Sequence, residues 1–180
     1  MKKIILNKRL IIIDRDGCIN IPKPDFEYVY EEKDFQLYAD ALNFCRKATA
    51  LGIRLAIATN QQGIGKNMYS LEDVYSLHQE FLGNLLLDDQ DFPIYVCPHL
   101  SDDPSCDCRK PKPGLLLKAM EYFEIPPKRV LFIGDSFSDK VAAETAGIDF
   151  CYLDRLNKFE FTSRYRMNKF SWSYLEASFK

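Results

Sequence analysis

The amino-acid sequence predicts an α/β fold in which a parallel sheet lies between two layers of helices. Three observations support this prediction. Short apolar runs, rich in β-branched residues, alternate with longer stretches of helical period. The runs are apolar throughout, which is typical of strands that helices cover on both faces. Polar residues follow several runs directly, at the sheet edge where open α/β sheets bind their ligands.

The predicted elements follow one another along the chain. Five apolar runs are predicted to be strands: residues 10–13, 55–58, 94–96, 130–133 and 150–153. Between them, apolar side chains at helical spacing predict four helices: residues 39–51, 71–87, 115–123 and 140–146. Ser70 and Asp73 form a capping pair that would begin the second helix, and Gly147 stands at the usual stop position after the fourth.

These elements define a single domain over residues 1–154, followed by a segment of different composition over residues 155–180. The insertions after the first and third strands have only about 20 and about 15 residues, so no cap domain is expected. The terminal segment contains six basic residues against two acidic ones, interleaved with aromatic residues. We expect it to pack its aromatic side chains on the domain or on a partner subunit.

Composition and charge exclude several functional classes. The chain has 24 Lys and Arg against 26 Asp and Glu, a formal charge of -2, whereas a nucleic-acid-binding domain would be strongly basic. The apolar start is interrupted by residues 7–9 and stopped by Asp14, so it is neither a spanning helix nor a secretory signal. We therefore expect a cytoplasmic protein without a membrane partner, and the charge argues against a nucleic-acid partner.

Acidic side chains gather at the predicted strand ends. Asp14 and Asp16 follow the first strand, and two carboxylates two residues apart on an extended chain point to the same side. Their like charges would raise the pKa of one of them strongly, unless a divalent cation neutralises both. The other strand ends add groups that suit phosphoryl transfer with Mg²⁺: Thr59, Lys110, Asp135 and Asp139. The pattern predicts a magnesium-assisted site for phosphoryl transfer.

Three cysteines and one histidine lie within a dozen residues, between the third strand and the third helix. They are Cys97, His99, Cys106 and Cys108. Such a four-ligand set suits structural Zn²⁺, because no coordination position remains open for water. A reducing compartment also disfavours disulfides between them. We expect the metal to order the loop 97–108, and with it Arg109 and Lys110, which follow directly.

Four short motifs resemble the signature motifs of the haloacid dehalogenase (HAD) superfamily of phosphatases. They are Asp14-Arg15-Asp16-Gly17, Thr59-Asn60-Gln61, Arg109-Lys110-Pro111, and Gly134-Asp135 with Asp139 as a supporting carboxylate. The resemblance covers the chain from the first predicted strand to the fifth. It implies a Rossmann-like fold and a phosphoric monoester hydrolase that uses Mg²⁺.

The resemblance also implies a role for each motif residue. Asp14 would attack phosphorus and form an aspartyl phosphate, and Asp16 would act as general acid and then as general base. Asp14, the main-chain carbonyl of Asp16, and Asp135 would hold Mg²⁺. Thr59 and Lys110 would bind the transferring oxygens.

The string from Cys97 to Pro111 narrows the resemblance to HAD subfamily IIIA, the branch of heptose bisphosphate 7-phosphatases and histidinol-phosphate phosphatases. Tyr28-Val29, Gly63-Ile64-Gly65 and Lys112-Pro113-Gly114 are more similar to the heptose enzymes. The implied substrate is D-glycero-D-manno-heptose 1,7-bisphosphate, dephosphorylated at position 7. Histidinol phosphate, a phosphorylated amino alcohol of histidine biosynthesis, and a polynucleotide 3'-phosphate stay open as alternatives.

Two departures from the resembled motifs bear on specificity. A threonine is usual where Cys18 stands, and a lysine or arginine is common where Ser136 stands. Without a cap, the chain would select its substrate through loops. The residues expected to contact the substrate are Arg15, Tyr28, Asn60, Gln61 and Arg109. A monomer or a weak homo-oligomer is expected.

Overall fold

The structure, a computed structural model, describes residues 5, 7–24, 27–87, 92–153, 155, 169–170 and 175. Its centre is a sheet of six strands in the order β3-β2-β1-β4-β5-β6, and every neighbouring pair is parallel. The strands are β1 Leu10–Ile13, β2 Arg54–Asn60, β3 Ile94–Cys97, β4 Val130–Gly134, β5 Asp149–Leu153 and β6 Lys169–Phe170. Because all are parallel, their carboxyl ends lie at one edge of the sheet.

Helices connect the first five strands. They are α1 Ala39–Ala50, α2 Gln62–Gly65, α3 Leu71–Leu85, α4 Gly114–Tyr122 and α5 Phe137–Ala146. Two short 3-10 helices, Glu32–Asp34 and Pro127–Arg129, precede α1 and β4. The predicted capping pair is present, since Ser70 and Asp73 exchange side-chain to main-chain hydrogen bonds at the start of α3. The predicted stop is present too: Gly147 adopts a left-handed conformation, with φ of 69°, after α5.

Two apolar clusters separate the layers of the fold. Ile11 and Ile13 of β1 face the cluster that contains α1 and α3, whereas Leu10 and Ile12 face the cluster that contains α4 and α5. All four side chains are fully buried, which explains why the strand sequence is apolar on both faces. The predicted three-layer, Rossmann-like arrangement is therefore confirmed.

The two insertions stay small, as expected of a chain without a cap domain. Between β1 and α1, the described residues form a 3-10 helix and isolated bridges that join Asn20 to Asp16 and to Leu37. Between β3 and α4, residues 98–113 form a loop without helix or strand. Within the described part of the chain, neither insertion builds a separate domain.

The structure also contains elements that the sequence pattern did not predict. Helix α2 has four residues, and α5 begins at Phe137, three residues before its predicted start. The earlier start follows from a second capping box, in which Ser136 and Asp139 bond each other's main-chain N–H groups. This explains the departure at Ser136, which begins the helix instead of supplying a cation.

Most of the terminal segment, residues 155–180, lies outside the described residues, so its predicted aromatic packing stays a prediction. Its described residues contact the domain. Arg155 binds the carboxylate of Asp40 at 2.6 and 3.1 Å, and Leu175 is buried in the cluster of α1 and α3. Strand β6 pairs with β5 and extends the predicted five-stranded sheet to six strands. In the described parts of the chain, no helix has the length and apolar character needed to cross a membrane.

Candidate active site

The strand order places a crevice at the carboxyl ends of β1 and β4. These strands are neighbours, but the chain leaves them toward opposite sides of the sheet, which is where open α/β sheets bind ligands. Asp14 follows β1, Asp135 follows β4, and Asp139 lies in the first turn of α5. One carboxylate oxygen from each lies within 4.8 Å of the others. The three carboxylates that the sequence pattern assigned to one site are therefore adjacent.

A buried lysine joins two of these carboxylates. The Nζ atom of Lys110 lies 2.8 Å from Asp14 Oδ1 and 2.7 Å from Asp139 Oδ1, and it donates to the carbonyl of Ala58 at 2.9 Å. Burial by itself would lower the pKa of Lys110, but the charges of Asp139 and Asp14 raise it above its usual value. The ammonium group therefore stays charged.

Asp14 has the environment of a group that a cation would stabilise. Burial raises its pKa well above the usual value; Lys110 acts in the opposite direction, and the neighbouring Asp139 and Asp135 raise it further. A divalent cation would neutralise this excess of negative charge, and carboxylate oxygens are the ligands that Mg²⁺ prefers. Gly17, with φ of 86°, leaves room for the Asp135 carboxylate, because a Cβ atom there would overlap it. The donor set fits Mg²⁺.

Asp16 has a different environment from Asp14, although both follow β1. Its side chain is 32% exposed, whereas that of Asp14 is 13% exposed. Its Oδ1 atom accepts hydrogen bonds from Asn20 Nδ2 at 2.9 Å and from the Arg15 guanidinium at 3.0 and 3.2 Å. Its Oδ2 atom accepts from Gln61 Nε2 at 2.9 Å. The carboxylate is thus held in place at the crevice, where water can still reach it.

Of the predicted substrate contacts, three are engaged within the protein. Arg15 is 2% exposed, and its Nη2 atom also donates to the carbonyl of Val29 at 2.7 Å. Gln61 is buried and donates to both Asp16 and Thr59. Asn60 holds the main chain of Lys110 through two hydrogen bonds of 3.0 Å. These side chains therefore support the site from within, and substrate contact by them stays a prediction.

The other two predicted contacts are partly exposed. Tyr28 is half-buried, with its ring 5.6 Å from that of Tyr69. Arg109 is half-buried too, and its guanidinium reaches the carbonyl of His99 at 3.5 Å. The sequence pattern did not single out Asn20 or Tyr69. Both act through tertiary hydrogen bonds, for which the sequence carries no periodic or motif signal.

A cavity of about 530 Å³ is lined in part by Tyr69, and its described lining includes none of the predicted site residues. Four acidic residues line it, Glu31, Glu32, Asp73 and Glu80. Acidic walls repel phosphate groups, so we place the candidate site at the strand ends and not in this cavity.

The four predicted zinc ligands form a compact cluster. The Sγ atoms of Cys97 and Cys106, and those of Cys106 and Cys108, are 3.7 Å apart. His99 Nδ1 lies 3.5 Å from the Cys97 sulfur and 3.4 Å from the Cys108 sulfur. A tetrahedral site with usual Zn–S and Zn–N lengths has edges of about 3.8 Å between sulfurs and about 3.6 Å from sulfur to nitrogen. The cluster therefore has the dimensions of a zinc site and could hold this metal.

Main-chain N–H groups favour the thiolate form of Cys106, and the thiolate is the form that binds a metal ion. Burial by itself would raise the pKa of Cys106, but hydrogen bonds from the N–H groups of Arg109 and Cys108 lower it to about 7. The first of these bonds spans 3.2 Å. The start of α4 packs closely on the same loop, because a Cβ atom at Gly114 would lie 2.6 Å from the Asp107 carbonyl oxygen. The thiol cluster is thereby joined to Arg109, the residue before Lys110.

Comparison with known proteins identifies the family. The model of the haloacid dehalogenase-like hydrolases matches residues 9–147, which is most of the chain. The chain belongs to this family. Its similarity extends to the D-glycero-alpha-D-manno-heptose-1,7-bisphosphate 7-phosphatase of Campylobacter jejuni, with 40% identity over 79% of this chain and 80% of the relative.

Two further proteins are similar to this haloacid dehalogenase-like hydrolase. The D-glycero-beta-D-manno-heptose-1,7-bisphosphate 7-phosphatase of Vibrio cholerae is 35% identical over 84% of this chain and 83% of the relative. A solved structure of the D,D-heptose 1,7-bisphosphate phosphatase of B. bronchiseptica, complexed with magnesium and phosphate, superposes with a TM-score of 0.77 at 26% identity, covering 87% and 86% of the two chains. The predicted fold, family and enzyme class, a phosphoric monoester hydrolase, are confirmed.

Proposed function

We propose that this hydrolase is a Mg²⁺-dependent phosphatase that acts through an aspartyl phosphate and removes the 7-phosphate of D-glycero-D-manno-heptose 1,7-bisphosphate. One observation supports this chemistry: Asp14 and Asp16 both follow β1, but their side chains lie in different environments. Asp14 is less exposed than Asp16 and is paired with Lys110, as suits a nucleophile that attacks one fixed atom. Asp16 is partly exposed and held by neutral amides and Arg15, as suits a group that exchanges protons with substrate and water.

The reaction proceeds in two steps. A carboxylate oxygen of Asp14 forms a bond to phosphorus while the bond to the sugar oxygen breaks, and Asp16 gives its proton to that oxygen. Asp16, now ionised, then takes a proton from a water molecule that attacks the aspartyl phosphate, which releases inorganic phosphate and restores Asp14. Asp16 therefore carries its proton again after the two steps, as it did before them.

The remaining site residues stabilise charge on the phosphoryl group. Lys110 and the hydroxyl of Thr59 would bind its oxygens, and Asp139 would keep Lys110 in place. Asp14, the carbonyl of Asp16, and Asp135 would hold Mg²⁺, which supplies positive charge for the phosphoryl oxygens when it is bound. Zn²⁺ at the thiol cluster would have a structural role.

The substrate assignment rests on the relatives and on the small insertions. The relatives that cover most of this chain are named as heptose bisphosphate 7-phosphatases, and they include enzymes for both the alpha and the beta anomer. Substrate selection would therefore fall to the insertion after β1, with Tyr28, and to Arg109 beside the thiol cluster.

A reducing, cytoplasmic location agrees with six cysteines that are all free thiols. We propose a monomer or a weak homo-oligomer, because the exposed large apolar side chains are spread over several elements.

A phosphate-release assay tests this proposal. Purified protein with Mg²⁺ is given the alpha and beta anomers of heptose 1,7-bisphosphate, histidinol phosphate, an oligonucleotide 3'-phosphate and simple sugar phosphates. We expect the highest kcat/KM on one heptose anomer, with release of only one phosphate per molecule and no release after removal of Mg²⁺. Higher kcat/KM on histidinol phosphate or on the oligonucleotide would overturn the substrate assignment.

A further inference from the structure

A chain of hydrogen bonds leads from Tyr69 to two residues of the candidate site. The hydroxyl of Tyr69 donates to Gln61 Oε1 at 2.7 Å. The amide nitrogen of the same glutamine donates to Asp16 Oδ2 at 2.9 Å and to Thr59 Oγ1 at 2.8 Å. Tyr69, Gln61 and Thr59 are all at least nine-tenths buried. Water therefore does not compete strongly for these bonds.

The network favours one orientation of the Gln61 amide. Once Asp16 has given up its proton, its carboxylate can only accept hydrogen bonds, so it then requires the NH₂ group on its side of the amide. If the amide turned over, its oxygen would face the Asp16 carboxylate, and two acceptors would repel each other. The Tyr69 hydroxyl completes the arrangement, because it supplies a donor to the amide oxygen.

The fixed amide also determines how Thr59 can act. The Thr59 oxygen accepts one amide hydrogen of Gln61, so its own hydroxyl hydrogen is left to donate. In the proposed reaction, this hydrogen would point to a phosphoryl oxygen. Through these two hydrogen bonds, Gln61 positions both Asp16, the proposed acid–base group, and Thr59, a proposed donor to the phosphate.

The ring of Tyr69 is held from several sides. It stacks on Tyr30 with ring centres 4.9 Å apart and planes 9° apart, and it packs against Tyr28. A Cβ atom at Gly63 would overlap the ring, so the chain of α2 passes directly against it. Burial raises the pKa of Tyr69 above its usual value, so the hydroxyl keeps its proton and remains a donor.

We propose that Tyr69 is a positioning residue, which acts through Gln61 to aim Asp16 for proton transfer. The inference rests on the proposed phosphatase function and extends it to a residue outside the four motifs. Because Tyr69 packs on residues 28 and 30 of the insertion after β1, it also links the substrate-selecting segment to the acid–base group.

The role predicts a dependence on the leaving group. A sugar alkoxide needs a proton from Asp16 as it departs, whereas p-nitrophenolate is a weak base and needs little help. The value of kcat/KM reports the steps up to the first phosphoryl transfer, so hydrolysis of the aspartyl phosphate does not obscure the comparison. Loss of the Tyr69 hydroxyl should therefore harm sugar phosphates more than p-nitrophenyl phosphate.

The experiment compares Tyr69→Phe with wild-type protein on both substrates at saturating Mg²⁺. Tyr69→Phe keeps the stacked ring and removes only the hydroxyl. We expect kcat/KM to fall about ten-fold or more on the sugar phosphate and less than about three-fold on p-nitrophenyl phosphate, with a melting temperature only a few degrees lower, because Gln61 Oε1 loses its donor. Tyr75→Phe is the matched control, since it removes an exposed tyrosine hydroxyl from α3 without touching Gln61, and it should behave as wild type on both substrates.

A second variant keeps the test decisive. Gln61→Leu should show the same leaving-group dependence, and Tyr69→Phe added to it should cause no further loss, because the two residues act in one chain. Equal losses on both substrates, or additive effects of the two changes, would overturn the positioning role. If wild-type protein hydrolysed no phosphate monoester, the proposed function would fail and this inference with it, whereas an active wild type matched by Tyr69→Phe would overturn the inference alone.

Discussion

The carboxylate site and the thiol cluster are both candidate metal sites, but the fold supports them in different ways. The carboxylates follow strands of a buried parallel sheet, and Lys110 already pairs with Asp14 and Asp139. The thiol cluster lies on a loop of residues 98–113 and the end of β3, and its sulfur atoms mainly face one another and His99. The fold itself therefore positions the first site, whereas we expect the second to depend on a bound ion for its stability.

Removal of Asp14, the proposed nucleophile, should lower activity without lowering stability. We expect Asp14→Asn to lower kcat by about 10³-fold or more, because asparagine cannot form the aspartyl phosphate. The melting temperature should stay the same or rise, since burial and then repulsion from Asp139 and Asp135 raise the pKa of Asp14 despite its pairing with Lys110, and asparagine carries no charge to bury. Phosphate release and thermal unfolding check the two parts, and activity above about 1% of wild type would place the nucleophile elsewhere.

Removal of one thiol should affect the fold first. We expect Cys108→Ser to lose bound zinc and to lower the free energy of unfolding by about 4 kcal/mol or more, as losses of structural metals do. Elemental analysis should find about one zinc per chain in wild-type protein and little in the variant, and denaturant unfolding measures the stability.

Cys45→Ala is the control for this change. Cys45 is buried in α1, away from the loop, so its substitution should cost some stability but leave the zinc content unchanged. A Cys108→Ser protein with full zinc content and wild-type stability would contradict the role assigned to the cluster.

A third substitution, at Asn60, should have smaller effects on stability and activity than the first two. Asn60 lies between the carboxylate site and the thiol cluster. Asn60 holds the main chain of Lys110 two residues after Cys108, so Asn60→Ala leaves one N–H and one carbonyl without their partner. We expect a loss of about 1–3 kcal/mol in stability and about ten-fold in kcat/KM, with zinc retained. Asn60→Asp, which can still accept from the Lys110 N–H, should be less impaired in stability than Asn60→Ala. Loss of zinc in Asn60→Ala would show that the two sites are less separate than we infer.

Much of the fold follows from short-range sequence patterns. The five apolar runs and the polar residues after them predicted the strands, the edge of the sheet and the adjacent carboxylates, because burial on both faces of the central strands leaves few polar positions. Helix α2 was not predicted, because its four residues are too few to show a helical pattern of apolar side chains. Strand β6, Lys169–Phe170, has no apolar run, and its pairing depends on the exposed edge of β5.

For the candidate site too, the sequence predicted what depends on local motifs but not what depends on tertiary contacts. The order of motifs predicted which residues would meet, but not which would be buried. Arg15 and Gln61 were expected to contact substrate, yet the structure gives both side chains internal partners. Ser136 and Asp139 could have been assigned as a capping box from sequence, since they have the spacing of Ser70 and Asp73. Tyr69 depends on long-range packing, which no local pattern encodes.

The insertion after β1 is tied to the first motif through its backbone, since the Arg15 guanidinium binds the carbonyl of Val29. Every residue type has a carbonyl, so side chains in this insertion can be exchanged to alter substrate preference without loss of that bond. A change in the length of the insertion would move the carbonyl and release Arg15 from one of its partners. Redesign of specificity in this enzyme should therefore substitute residues of the insertion and keep its length.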